Sequence, residues 1–217
     1  MEDKNLQLER LVFFCDAVVA IAITLLVFNL KIGHVDGGHL TFKDLLQPWH
    51  SFLAFLLSFF NIASFWKTHH SFFTHVKKVD EKLLWFNIFW LFSIAILPFS
   101  TSLVSDYFFD KPAIFLYSLN TFVIIIFQNM IWDYVAMMPG YIKEENPDEI
   151  LMGRIRLYCN LDMLNALVAI GISFLNPLVA FILLFTKIPM FIMTGIYLRG
   201  RKRTPFLGNP NRKRKDK

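Results

Sequence analysis

The chain has 217 residues, of which 55% are hydrophobic and 18% charged, and it carries a net charge of +5 and two cysteines. About a quarter of a soluble domain is charged; here the apolar residues come in blocks of about 20, enough to cross roughly 30 Å of hydrocarbon. That pattern excludes an ordinary water-soluble domain, and two cysteines exclude a disulfide framework.

The first block, 11–32, follows Glu2, Asp3 and Glu9 and is interrupted by Asp16. It lacks the basic leader and small-residue cleavage site of a signal peptide, so it is expected to stay as a spanning helix. The second runs over 46–73, with a Phe-rich middle at 52–60, after a turn at 33–39. The third covers 83–104, where Pro98 is expected to kink the helix and free a backbone carbonyl. The fourth runs over 112–138, opening on Pro112 and stopped by Pro139 and Gly140. The fifth and sixth, 155–175 and 177–198, form a hairpin turning at Asn176 and Pro177. The expectation is an all-α membrane protein: one six-helix domain over 1–198 and a basic tail over 199–217. Cys15 and Cys159 fall near the same side of the membrane and read as small apolar packing residues.

Six spans put both termini and the connections 67–82 and 143–156 on one side, where 18 of the 22 Lys and Arg lie. Lys31, Lys43 and Lys111 fall opposite, and Lys187 lies inside the sixth block. The positive-inside rule then places both termini in the cytoplasm of a multi-pass cell-membrane protein. An odd number of spans would split the basic flanks. The basic tail reads as a topology anchor or a contact for anionic lipid, so membrane lipids are expected partners and nucleic acid is not.

Arg10, Asp16 and Thr24 set the first helix apart. An unpaired Asp16 inside the membrane costs on the order of 3 kcal/mol, so it needs a partner. Ile21, Leu25 and Phe28 form one stripe with Thr24 at its margin, and Asp16 points about 140° from Ile21. Trp66, Lys67, His69 and His70 lie at a similar depth and can hydrogen-bond Asp16. A structural lock of Arg10, Asp16 and a histidine is favoured over a proton relay or a metal site, because two histidines and one distant aspartate lack metal-ligand spacing.

Lys187 lies at the depth of Asn165 and within reach of Asp162, an interhelical tie with a carrier's substrate site as the alternative. Asn61, Asn87, Asn120 and Gln128 read as helix–helix hydrogen bonds. His34, Asp36 and His39 read as a solvated turn. No nucleophile–base set, glycine-rich phosphate loop or paired acid and base is visible, so neither an enzyme nor a cofactor is expected.

Arg10, Phe14, Cys15 and Asp16 resemble the Arg-xxx-Phe-Ser-Asp signature of the transmembrane-protein-175 family, endolysosomal potassium channels with shorter bacterial relatives. Trp66 to His70, Leu83 to Asn87 and Leu97 to Thr101 continue the likeness over the first half of the chain. The resemblance implies a tetramer whose pore lies on its axis, lined by the first helix of each subunit. By position, Ile21 is then the main constriction, Leu25 and Phe28 follow outward, and Thr24 offers hydroxyls to a partly dehydrated cation. Arg10, Phe14 and Asp16 belong to the core of the signature, with Trp66 and a histidine, His69 or His70, as partners. Cys15 replaces the usual serine and loses its strong hydroxyl donor. Phe28 is larger than the usual leucine. The implied function is a homotetrameric potassium channel with a hydrophobic gate, no carbonyl filter loop, and potassium as permeant ion rather than cofactor. Periodicity alone leaves the stripe open to ordinary packing against a helix or lipid. The alternative function is a proton-coupled secondary transporter using Asp16, His69, His70 and Lys187.

Overall fold

A chain in hydrocarbon must satisfy its backbone polar groups internally, and this one does so with helices. The computed structural model describes residues 2–31, 39–143 and 149–187. Helix α1 (Glu2–Leu25) tightens into a 3-10 turn over Leu26–Asn29. A short α2 (Phe42–Leu46) precedes α3 (Trp49–His75), α4 (Glu81–Asp106) and α5 (Lys111–Met137). Then follow α6 (Glu149–Ser173) and α7 (Pro177–Phe185). Among the described residues the β pairing is one isolated antiparallel bridge, Val76 with Ile142.

Among the described residues, four segments are long and apolar enough to cross a membrane: Leu6–Asn29, Trp49–His75, Glu81–Asp106 and Lys111–Met137. Helix α6 has the length but carries Asp162 and basic residues in its first half. The expected continuation of the last helix to 198 lies outside the described residues. Helix α1 starts at Glu2, well before the apolar block, because Glu, Lys, Gln and Leu are good helix formers in water as well. Hydropathy marks where the chain enters the membrane, not where the helix begins.

Local chemistry sets the other ends. Asp80 accepts the Leu83 N–H at 2.9 Å and caps α4. Asn176 accepts the N–H groups of Leu178 and Val179 at 3.0 and 3.2 Å, opening α7 at the predicted hairpin turn. Gly140, with φ of +76°, turns the chain away after α5 in a conformation that side chains disfavour. Pro98 lies inside α4 without ending it.

Helices α3, α4 and α5 form the centre, with Phe65, Trp90 and Tyr117 fully buried between them. A polar seam runs through it. The Tyr117 hydroxyl takes the Ser58 hydroxyl at 3.1 Å and the Asn61 amide at 3.0 Å, and Thr101 donates to Ser58 at 2.7 Å. Asn120 meets Ser100 at 3.2 Å. These bonds tie three helices together where no water competes. Gln128 is buried as well, but its carbonyl oxygen has no partner among the described residues. Helix α1 lies at the edge of this bundle, packed on α3 and α4.

Candidate functional site on the first helix

At 100° per residue, α1 divides cleanly into two faces. Leu8, Leu11, Cys15, Val19, Ala22 and Leu26 are buried against the bundle. On the opposite side Phe14, Ile21 and Phe28 are 55%, 60% and 71% exposed, and Leu25 is 43% exposed. A contiguous apolar strip of this kind faces lipid or another protein surface. The one hydroxyl on it, Thr24, donates to the Ile21 carbonyl at 2.8 Å. Its proton is thereby engaged and its oxygen lone pairs stay available, the polarity a cation requires.

Two sets of contacts hold the helix from behind. Cys15 is fully buried, and its sulfur lies 3.9 Å from Asn87 Oδ1. The same oxygen lies 2.8 Å from His69 Nε2. Asn87 donates its own amide to the Leu83 carbonyl at 2.9 Å, so Oδ1 is an acceptor and His69 carries its proton on Nε2. The His69 ring is stacked 4.2 Å from Trp90 and 4.5 Å from Phe73, which fixes its plane. The second set lies nearer the surface. Trp66 Nε1 donates to Asp16 Oδ1 at 2.8 Å, and His70 stacks on Trp66 at 5.5 Å.

The predicted site residues therefore separate. Asp16 meets Trp66 rather than a histidine, while His69 reaches α1 through Asn87 and Cys15. Arg10 is exposed on the same side of α1 as Ile21, three turns below it. Among the described residues it makes no hydrogen bond or ion pair, so the expected lock of Arg10 with Asp16 is not formed within one chain. At the other end, the Asn29 side-chain amide donates to the Pro98 carbonyl at 3.2 Å, and the Asn29 backbone carbonyl accepts from the Ser105 hydroxyl at 3.3 Å. Sequence reasoning missed Asn29, because an amide at the end of an apolar block looks like any interfacial residue.

Away from α1, Lys187 forms an ion pair with Asp162 at 2.7 Å, with both side chains buried. The ammonium also lies 3.5 Å from the centre of the Phe65 ring. Asn165 is not its partner; that amide donates to the Leu183 carbonyl at 3.3 Å. His34 and Asp36 lie outside the described residues.

A family model described as "Endosomal/lysosomal potassium channel TMEM175" matches residues 10–98, which include α1 from Arg10 onward and the contacts among Cys15, Asp16, Trp66, His69 and Asn87. A potassium channel from Chamaesiphon minutus is 35% identical over 133 residues, covering 58% of this chain and 65% of that one. A potassium channel from Streptomyces collinus is 28% identical over 171 residues, covering 77% and 82%. Over these stretches the chain is similar to the TMEM175 family. Its fold is similar to the crystal structure of a lysosomal potassium-selective channel TMEM175 homolog from Chamaesiphon minutus. The TM-score is 0.77 and the identity 28%, over 87% of this chain and 97% of that one. An endosomal/lysosomal proton channel TMEM175 from Danio rerio is 32% identical over 106 residues, but this chain spans only 20% of its length.

Proposed function

We propose that this chain is one subunit of a homotetrameric, potassium-selective channel of the cell membrane, with six spans and both termini cytoplasmic. Four copies of α1 surround the conduction path. Ile21 forms its narrowest ring, Leu25 and Phe28 continue it outward, and Thr24 presents hydroxyl oxygens to a partly dehydrated potassium ion. The single observation that carries this reading is the division of α1: one face packed into the bundle, the other apolar, exposed and bearing one acceptor oxygen. A ring of bulky apolar side chains gates by dewetting, so conduction requires a wider state. Arg10 and Phe14 lie on the axis side, and Cys15, Asp16, Trp66, His69 and Asn87 hold the helix in place.

Potassium is favoured over protons as the permeant ion because the relatives that this chain covers most fully carry the potassium name. It spans 82% and 85% of the Streptomyces and Chryseobacterium potassium channels. The proton-coupled carrier reading draws on Asp16, His69, His70 and Lys187, and it loses force where Trp66 engages Asp16 and Asp162 neutralises Lys187.

The test is cation flux through purified protein in liposomes, with potassium, sodium and proton gradients compared and no other energy source. Passive flux that favours potassium and changes with Ile21→Asn is the expected result. Flux indifferent to changes at both Ile21 and Leu25 would remove α1 from the path, and uptake seen only under a proton gradient would favour a carrier.

A further inference from the structure

Where α3 ends and α4 begins, the chain gathers cationic side chains at the membrane boundary. The bridge between Val76 and Ile142 is closed by two bonds: the Lys77 N–H to the Tyr141 carbonyl at 2.7 Å, and the Lys143 N–H to the His75 carbonyl at 2.9 Å. It sets the α3–α4 turn beside the segment leaving α5, so Lys77, Lys78, Lys82 and Lys143 share one edge. Tyrosine rings support two of them. Lys78 Nζ lies 4.5 Å from the centre of the Tyr141 ring, and Lys82 Nζ lies 5.1 Å from that of Tyr134.

The carboxylate among them is turned elsewhere. Asp80 caps Leu83 and accepts the Tyr134 hydroxyl. Burial opposes its charge, but the bonds from Tyr134, the Leu83 N–H and Tyr141 outweigh burial and hold the carboxyl below the usual range. Among the described residues no carboxylate forms an ion pair with any of these four lysines. Glu144 and Glu145 follow Lys143 directly in sequence, so the defining cations are Lys77, Lys78 and Lys82.

Below them the surface becomes apolar on the same side of α4. Lys82, Trp85, Phe89 and Phe92 recur at helical spacing, and the three aromatics are 50%, 45% and 63% exposed. Cations at the end of the spans with an aromatic strip directly beneath match an amphiphile, not a soluble anion.

We propose that this edge is a binding site for an anionic phospholipid, its phosphate held by Lys77, Lys78 and Lys82 and an acyl chain lying along Trp85, Phe89 and Phe92. The site rests on charge and depth alone. Its test reads no ion flux, so it stands or falls apart from the channel reading.

The full chain is purified in detergent, given phosphatidylglycerol and phosphatidylcholine in equal amounts, and examined by native mass spectrometry for retained lipid. The wild type is expected to retain phosphatidylglycerol selectively. Each lysine near an anionic surface contributes roughly fivefold, so the triple Lys77→Gln, Lys78→Gln, Lys82→Gln variant should lose about a hundredfold of that preference. The corresponding Lys→Arg triple should keep it. So should a control triple at Lys31, Lys43 and Lys111, which carries the same change in net charge elsewhere. Should the glutamine triple aggregate, the three single variants carry the test, each expected to lose about fivefold. No preference in the wild type, or an undiminished preference in the glutamine variants, overturns the site. Equal loss in the control triple overturns it as well, since the effect would then be net charge. Displacement of the lipid by excess glycerol phosphate would show a soluble-phosphate site and overturn the lipid assignment.

Discussion

Asp162→Asn leaves the Lys187 ammonium buried, with 3% of its side chain exposed and its counter-ion gone. At the observed 2.7 Å and an effective dielectric constant of about 20, the lost attraction is about 6 kcal/mol. Part of this offsets the cost of dehydrating both charges, so breaking the pair from one side should cost about 3–5 kcal/mol. Lys187→Met alone strands the carboxylate and should cost a similar amount. Joining Lys187→Met to Asp162→Asn removes both charges and with them most of the dehydration cost, and the double variant should regain most of the loss. The expected coupling is on the order of 3 kcal/mol, read by equilibrium unfolding of the four proteins in mixed micelles of sodium dodecyl sulfate. The interior position of Asp162, on α6, against Lys187 and Phe65 of α3 makes the pair a tie between the last hairpin and the core. Strict additivity, with the double variant losing the sum of the two singles, would refute that reasoning. The pair would then be a surface-like contact whose two ends are solvated separately.

Trp66→Phe removes the hydrogen bond to the Asp16 side chain and should destabilise the protein by about 1 kcal/mol; Asp16→Ala should in addition reduce the detergent-stable oligomer, seen by size-exclusion chromatography. A normal oligomer of unchanged stability in both variants would remove Asp16 as an anchor of α1. Cys15→Ser, although it restores the usual residue of the signature, should destabilise by about 1–3 kcal/mol in thermal unfolding. The shorter C–O bond pulls the hydroxyl back from Asn87, already 3.9 Å from the sulfur, and a buried hydroxyl without a partner is costly. A gain in stability would mean that α1 moves to close the gap. Asp80 has a folded pKa below the ordinary 3.8, so its clasp on Tyr134 and Leu83 contributes stability in full above that value. The contribution fades as pH falls through the lower folded value. An acid unfolding titration of Asp80→Asn against wild type should show the two curves converging at the acid end, and a constant gap at all pH values would contradict the clasp.

Much of the fold was legible from hydropathy, because a membrane admits few ways to satisfy a backbone and each apolar block had to become a helix. The boundaries of α3, α4 and α5 lie within three residues of those read from the sequence, since Asp80, Pro112, Gly140 and their neighbours carry the stop and start chemistry locally. Helix α1 was misjudged at its start, where helix formers extend it into the polar segment. It also ends in a 3-10 turn that no residue type announces. The Ile21, Thr24, Leu25 and Phe28 face was visible from the helical period. What the period could not say was which of two opposite faces would be covered. The packing of α3 and α4 against Cys15, Val19 and Ala22 decided that, and left Ile21 outward.

The partnerships were the part reserved for tertiary structure. Sequence showed that Asp16 and Lys187 needed partners, because the cost of a lone charge in hydrocarbon depends only on the residue and its depth. It did not show that Trp66 would reach Asp16 while His69 turned to Asn87, or that Asp162 rather than Asn165 would meet Lys187. Those choices depend on the rotation and offset of one helix against another. A shift of one residue rotates a side chain by about 100°, and only the packed core fixes that angle.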